Sequence, residues 1–150
     1  EKAYGTFTYD YSIKIWQYWI WPKALPAGMD VSWQVRTIDI LPTILDLLQL
    51  TPKQGKKPIM GQSLLPMIRS EEDDHRVAFS ETGGVDGAYP SPNDPNIRCL
   101  RDGKWKLIHN KTTNQFELYD LENDIEERNN LYGTHPEQAD RLWRQMIEYL

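Results

Sequence analysis

Three histidines, one cysteine, one acidic run and one long Gly/Pro-rich loop are the parts of this chain whose residue types could do chemistry. His75, His109 and His135 fall in a turn, at a strand end and at a helix cap, far apart in sequence. Isolated in this way, each reads as a surface histidine rather than as a general base, which needs partners converging on one pocket. Cys99 is the single cysteine, so neither an internal disulfide nor a thiolate metal cluster can be built. Its alternation with Ile97 marks it as a buried strand thiol. The run Glu71-Glu72-Asp73-Asp74 reads as a solvated turn, because calcium asks for ligands spread around a loop with carbonyl oxygens. There is no supported Ser/His/Asp order, no phosphate-binding glycine loop and no zinc spacing. What remains is the loop over 81–96, with Asp86, Tyr89, Asn93 and Asp94 among its glycines and prolines. A loop of that length without elements of its own is often functional, and this is the stretch to which we assign ligand contact.

The elements that must hold this loop follow from periodicity. Arg101-Asp102-Gly103-Lys104 separates apolar runs at 97–100 and 105–108, and Asp-Gly between two such runs is a strong hairpin signal. A polar turn over 110–114 leads to Phe116-Glu117-Leu118-Tyr119, which alternates as a strand does. With another short strand at 76–80, the expectation is a small antiparallel sheet of three to four strands. After Gly133, Thr134 is a candidate N-cap, Pro136 suits a first helical turn and Glu137 stands at the capping-box spacing. Ala139, Leu142, Trp143, Met146, Ile147 and Leu150 then form one apolar helix face, which covers the sheet. The fold class is α+β.

Upstream, the spacing of Ile38, Leu41, Ile44, Leu45 and Leu48 predicts a helix over 37–48, with Pro42 in its first turns and Thr37 or Asp39 as N-cap. A short helix is expected over 63–69. The run over 13–21, Ile-Lys-Ile-Trp-Gln-Tyr-Trp-Ile-Trp, is almost continuously apolar and predicts a strand covered on both faces. No βαβ unit in the chain supplies its neighbours, so its partners are expected outside these residues. The other reading is an aromatic surface, Trp16, Trp19 and Trp21, on which a sugar stacks.

Composition narrows the partners. A net charge of −5 argues against nucleic acid, which needs a concentrated basic surface. Lys53, Lys56 and Lys57 form the one basic knot, in a Pro/Gly loop. No run is long and apolar enough to span a bilayer, and no signal peptide is visible.

Several of these segments, in this order, resemble the C-terminal third of the sulfatase family within the alkaline-phosphatase-like hydrolases. The phrases are Val35-Arg36-Thr37-Ile38-Asp39-Ile40-Leu41-Pro42-Thr43, Gly61-Gln62-Ser63-Leu64-Leu65-Pro66, Phe79-Ser80-Glu81, Ile97-Arg98 and Lys104-Trp105-Lys106-Leu107-Ile108. The most specific is Glu117-Leu118-Tyr119-Asp120-Leu121-Glu122-Asn123-Asp124, continuing into Glu126-Glu127-Arg128-Asn129-Asn130-Leu131. The likeness is strongest over 31–150. Before that, Tyr4-Gly5 stands where the family has His-Gly, and Ile15-Trp16-Gln17 where it has Val-Pro.

The resemblance implies the C-terminal portion of an enzyme that hydrolyses sulfate esters with a formylglycine nucleophile beside a calcium-type divalent metal. The family's nucleophile motif, Cys/Ser-x-Pro/Ala-x-Arg, is absent from these residues: Cys99 stands in Arg-Cys-Leu-Arg, and neither Ser63 nor Ser91 fits it. No catalytic or metal-ligating residue is therefore assigned here, and formylglycine and metal are expected in an N-terminal catalytic portion, the chain's expected partner. Residues 1–50 would belong to the edge of the α/β catalytic core, 51–75 to a linker and 76–150 to the C-terminal subdomain. Glu81, Tyr89 and Arg98 are the expected substrate-side contacts, and a salt bridge within the sheet is an equal reading for Arg98. The chain alone is expected to be inactive. A free-standing carbohydrate-binding or interaction module, and a part of a phosphate or phosphonate ester hydrolase, are the alternatives.

Overall fold

A computed structural model describes residues 7–51, 58–69, 75–83 and 95–150. Their elements in chain order are α1 (Asp10–Ile13), a 3-10 turn (Thr37–Asp39), α2 (Ile40–Leu47), α3 (Leu65–Ile68), β1 (Ala78–Thr82), β2 (Ile97–Asp102), β3 (Trp105–Asn110), β4 (Gln115–Asp120) and α4 (Pro136–Ile147). The chain divides into two compact units. One holds the residues up to Trp16 together with Val77–Leu150, and the other is Gln17–Arg76.

In the sheet unit the four strands run antiparallel in the order β1-β2-β3-β4. Gly103, at φ 61, closes the β2–β3 hairpin in the left-handed conformation that the Asp-Gly signal anticipates. In the β3–β4 turn the Asn110 carboxamide oxygen accepts the amides of Thr112 and Thr113 at 3.0 and 3.2 Å. Asn114 there also takes positive φ, 53°, a region that asparagine tolerates.

Both sheet faces are covered. On one, Leu100, Leu107 and Leu118 stand side by side in register and pack beneath Ala139, Leu142 and Met146 of α4. On the other, Ile97, Cys99, Ile108, Tyr119 and Leu121 meet Tyr9 and Ile13. α4 begins as Pro136 suggests, but its N-cap is His135 and no side chain caps it. The Thr134 hydroxyl instead donates to Leu131 O at 3.1 Å, so the expected capping box does not form.

The free edge of β4 is closed by the connector that follows it. Asn130 Oδ1 accepts the amides of Leu118 and Tyr132 at 3.0 and 2.9 Å, and its Nδ2 donates to Phe116 O at 3.3 Å. Leu131 N adds a bond to Leu118 O at 2.8 Å. This is the physical content of the Arg128-Asn129-Asn130-Leu131 phrase: side chain and backbone substitute for a fifth strand.

In the second unit α2 carries Pro42 in its first turn, where a missing amide costs nothing. Asp39 is the N-cap residue of α2, as expected, but its side chain makes no cap bond to that helix. Its carboxylate accepts the Arg36 amide at 3.0 Å, the Arg36 guanidinium at 2.9 and 3.2 Å and the Gln62 amide at 2.9 Å. The Arg76 guanidinium adds an ion pair at 3.1 Å. Burial alone would raise the Asp39 pKa, but these donors overcome it and hold the carboxyl below its ordinary value. Gly61 lets the two segments meet: at φ 87, a Cβ there would lie 2.2 Å from Ile38 O.

The strand expected over 13–21 does not form. Ile13 closes α1, and 14–20 takes no regular structure. Trp16, Tyr18 and Ile20 are 83, 81 and 88% exposed. A strand requires neighbours for its amides and carbonyls, and none is present among the described residues.

Candidate functional site

Strand register brings Glu81, Arg98, His109 and Phe116 into one row across β1, β2, β3 and β4, on the face that α4 covers. The row lies at the end of the sheet where β1 leaves and β2 returns. Glu81 and Arg98 are direct cross-strand partners, and Arg98 Nε lies 3.5 Å from Glu81 Oε2. The guanidinium side chain is 18% exposed and the carboxylate 40%. The ion pair anticipated within the sheet is thus present, and it holds the two residues expected as substrate contacts. The third, Tyr89, lies outside the described residues.

His109, expected at the surface, is only 7% exposed. Its ring stacks on Phe116 with centroids 4.2 Å apart and meets the edge of Trp143 at 5.0 Å. Nε2 lies 3.3 Å from Asn114 Oδ1, while Nδ1 is buried without a partner among the described residues. Burial lowers its pKa, and the charge of Arg98 adds to the lowering against the Asn114 contact. A neutral imidazole therefore stands beside a permanently charged guanidinium. The signal for its burial was the spacing of His109 and Leu107, which places the imidazole on the face that α4 covers.

The opposite face holds a second set of charges that sequence reasoning missed. Lys106, fully buried, pairs with Asp10 Oδ1 at 2.7 Å and Glu127 Oε1 at 2.8 Å. Arg101 reaches Asp10 Oδ2 at 3.0 Å, and the Asp10 amide donates to Glu127 Oε2 at 2.6 Å. Nearby, the phenols of Tyr9 and Tyr119 both donate to Glu117 Oε2, at 2.7 and 2.6 Å. Burial and the Glu117 carboxylate push both phenols above their ordinary pKa. These contacts pin 7–13 to the sheet, with Glu127 Oε1 held to Lys106 as an ion pair rather than by a hydrogen bond. Cys99 lies buried on this face, and burial raises its thiol pKa, away from nucleophile character.

Among the described residues no three His, Cys, Asp or Glu side chains are grouped as a metal ion would require. Nor is any described helix long and apolar enough to cross a membrane.

A four-stranded antiparallel sheet under one C-terminal helix, edged by the Asn130 connector, is the C-terminal region of the sulfatase family. The chain belongs to the N-sulphoglucosamine sulphohydrolase C-terminal family, which matches residues 4–150. Arylsulfatase K of Danio rerio is 29% identical over 133 residues, covering 82% of this chain and 24% of the relative. A protein solved in complex with its substrate D-glucosamine-2-N,6-O-disulfate superposes with a TM-score of 0.69 at 25% identity, over 86% of this chain and 26% of that one. The phosphonate monoester hydrolase of Silicibacter pomeroyi gives 0.54 at 26% identity, over 74% of this chain and 24% of its own. The chain thus spans about a quarter of the length of such relatives.

Proposed function

We propose that this chain is the C-terminal region of an enzyme hydrolysing sulfate esters, and that it acts there as scaffold and as one wall of the substrate entrance. The observation that carries the reading is the family match over residues 4–150, joined to the absence of Cys/Ser-x-Pro/Ala-x-Arg from the sequence. Nucleophile and metal then belong to the further polypeptide that relatives of about four times this length possess. The metal would supply Lewis-acid stabilisation of the ester's charge there. Here Arg98, together with Glu81 and Tyr89, would orient the part of the substrate that projects from the reacting group.

The catalytic portion is also the partner for the exposed apolar surface. Trp16 is exposed in the sheet unit, and Tyr18, Ile20, Leu41, Leu48 and Leu50 are exposed in the second unit. Such surface favours burial against protein. A sugar-stacking module is the weaker reading. Trp19, Trp21, Leu25, Ile44, Leu47 and Leu48 line a shallow hollow with almost no hydrogen-bonding groups, which a saccharide would need beside the rings.

The test compares the 150-residue chain with a longer polypeptide carrying the nucleophile motif, each assayed on an aryl sulfate and on a phosphonate monoester. The reading expects turnover by the longer protein alone, with sulfate preferred. Metal-dependent sulfate release by the short chain overturns the scaffold role. A preference for the phosphonate favours the hydrolase class to which the Silicibacter pomeroyi enzyme belongs.

A further inference from the structure

Arg98 differs from the other basic groups that β2 and β3 bury. Lys106 holds two carboxylates at 2.7 and 2.8 Å. Arg101 holds Asp10 at 3.0 Å and the carbonyl of Gly103 at 3.1 Å. Among the described residues Arg98 has Glu81 alone, by one atom at 3.5 Å, and its buried Nε has no acceptor there at hydrogen-bonding geometry. A single long contact to a carboxylate that is 40% exposed is weak and easily exchanged. An oxyanion engaging the guanidinium fork through two parallel bonds is a stronger partner.

The surroundings suit that exchange. His109 stands directly across β2–β3 from Arg98, fixed between Phe116 and Trp143 and tied to Asn114. It presents the guanidinium with a rigid, uncharged neighbour rather than a second carboxylate. The acid that faces Arg98 across the sheet is Glu81, on β1 at the sheet's outer edge, from which it can swing into solvent without disturbing the core.

We propose that Glu81 is an exchangeable counter-ion of Arg98, displaced by an anionic substituent of the substrate other than the ester being cleaved. This rests on the substrate-entrance reading and deepens it. The site selects saccharides that carry a second sulfate or a carboxylate, and His109 is a positioning residue for the guanidinium. No bond is made or broken in the exchange. The Glu81 carboxylate returns to water as the ligand's oxyanion takes its place.

The test measures kcat/KM of the longer, catalytically complete polypeptide on D-glucosamine-2-N,6-O-disulfate and on a monoanionic aryl sulfate, and reads the ratio. Glu81→Gln should raise the ratio several-fold through KM. Arg98→Gln should lower it about tenfold, the scale of one charge-assisted contact. The double variant should match Arg98→Gln, because Glu81 has no role once the guanidinium is gone. Arg98→Lys should recover only part, since a point charge cannot offer the fork. A uronate-bearing sulfated saccharide separates a carboxylate preference from a sulfate preference by the same ratio. Equal changes on both substrates, or additive effects in the double variant, overturn the proposal. If no sulfate ester is turned over at all, the reading of the function fails instead. Calorimetric binding of the disulfate to the same variants then still decides the exchange: tighter for Glu81→Gln supports it, and unchanged affinities refute it.

Discussion

Lys106 donates to Asp10 across 96 positions of sequence, at 2.7 Å and out of reach of solvent. The same ammonium faces Glu127 at 2.8 Å, so one β3 residue joins the beginning of the chain to the connector beyond β4. Buried carboxylates here depend on that cation. Lys106→Ala leaves Glu127 without a cationic partner and Asp10 with Arg101 alone, and should cost about 3–5 kcal/mol. Lys106→Met combined with Asp10→Asn and Glu127→Gln should recover much of that loss. Urea unfolding measures both, and a loss under about 1 kcal/mol in the single variant would show that the cluster has relaxed into solvent.

Gly61 should not tolerate a side chain. Its φ of 87° is strained for any other residue, and an added Cβ would meet Ile38 O at 2.2 Å. Gly61→Ala should destabilise the Gln17–Arg76 unit by at least about 1–3 kcal/mol, the scale of one strained backbone conformation. The loss should be accompanied by faster amide exchange at Gln62, whose N–H bonds to Asp39. Wild-type protection at that amide would contradict the close packing.

His109 makes stability depend on pH in a defined direction. Its folded pKa lies below the ordinary value of 6.5 because the ring is buried. The folded state therefore favours the neutral ring. The resulting stability is present above about pH 6.5 and is lost as pH falls through the folded pKa. His109→Phe keeps the stack on Phe116 and should remove this segment of the profile. Titration of the His109 ring by NMR with a midpoint at or above about 6.5 would contradict the assignment.

Asn130 guards the edge of the sheet. Its carboxamide makes two bonds to β4 that stand in for a neighbouring strand and a third that holds Tyr132 N in the connector. Asn130→Ala should cost about 1–3 kcal/mol, the penalty of leaving strand amides unsatisfied, and should increase self-association through β4. Denaturation and light scattering read the two effects separately. Unchanged stability would mean that water replaces the side chain without loss.

Much of this fold was legible because local signals agreed with one another. Asp102-Gly103 fixed a hairpin, Phe116 to Tyr119 alternated, and the stripe from Ala139 to Met146 had one face to bury. The failures share a cause. The apolar run over 13–21 announces burial but not the surface that provides it, and within this chain Trp16 and Ile20 remain exposed. Asp39 does stand at the α2 N-cap, but its carboxylate pairs with Arg76, 37 positions away by number (76 − 39), and periodicity is blind to such pairs. His109 looked like a surface residue, and no signal marked Lys106 as buried. They are buried because β3 is covered on both faces, by α4 on one and by 7–13 on the other. Glu81 and Arg98 could each be named from sequence, but their pairing, its length and its exposure could not.

On our reading this chain shapes and supports a sulfatase site whose nucleophile and metal lie elsewhere in a longer polypeptide. The most direct measurement is sulfate release from an aryl sulfate by the pure 150-residue chain with calcium added, beside the same chain joined to a segment bearing Cys/Ser-x-Pro/Ala-x-Arg. The account predicts no release from the first and turnover from the second. Calcium-dependent turnover by the 150 residues alone would contradict it.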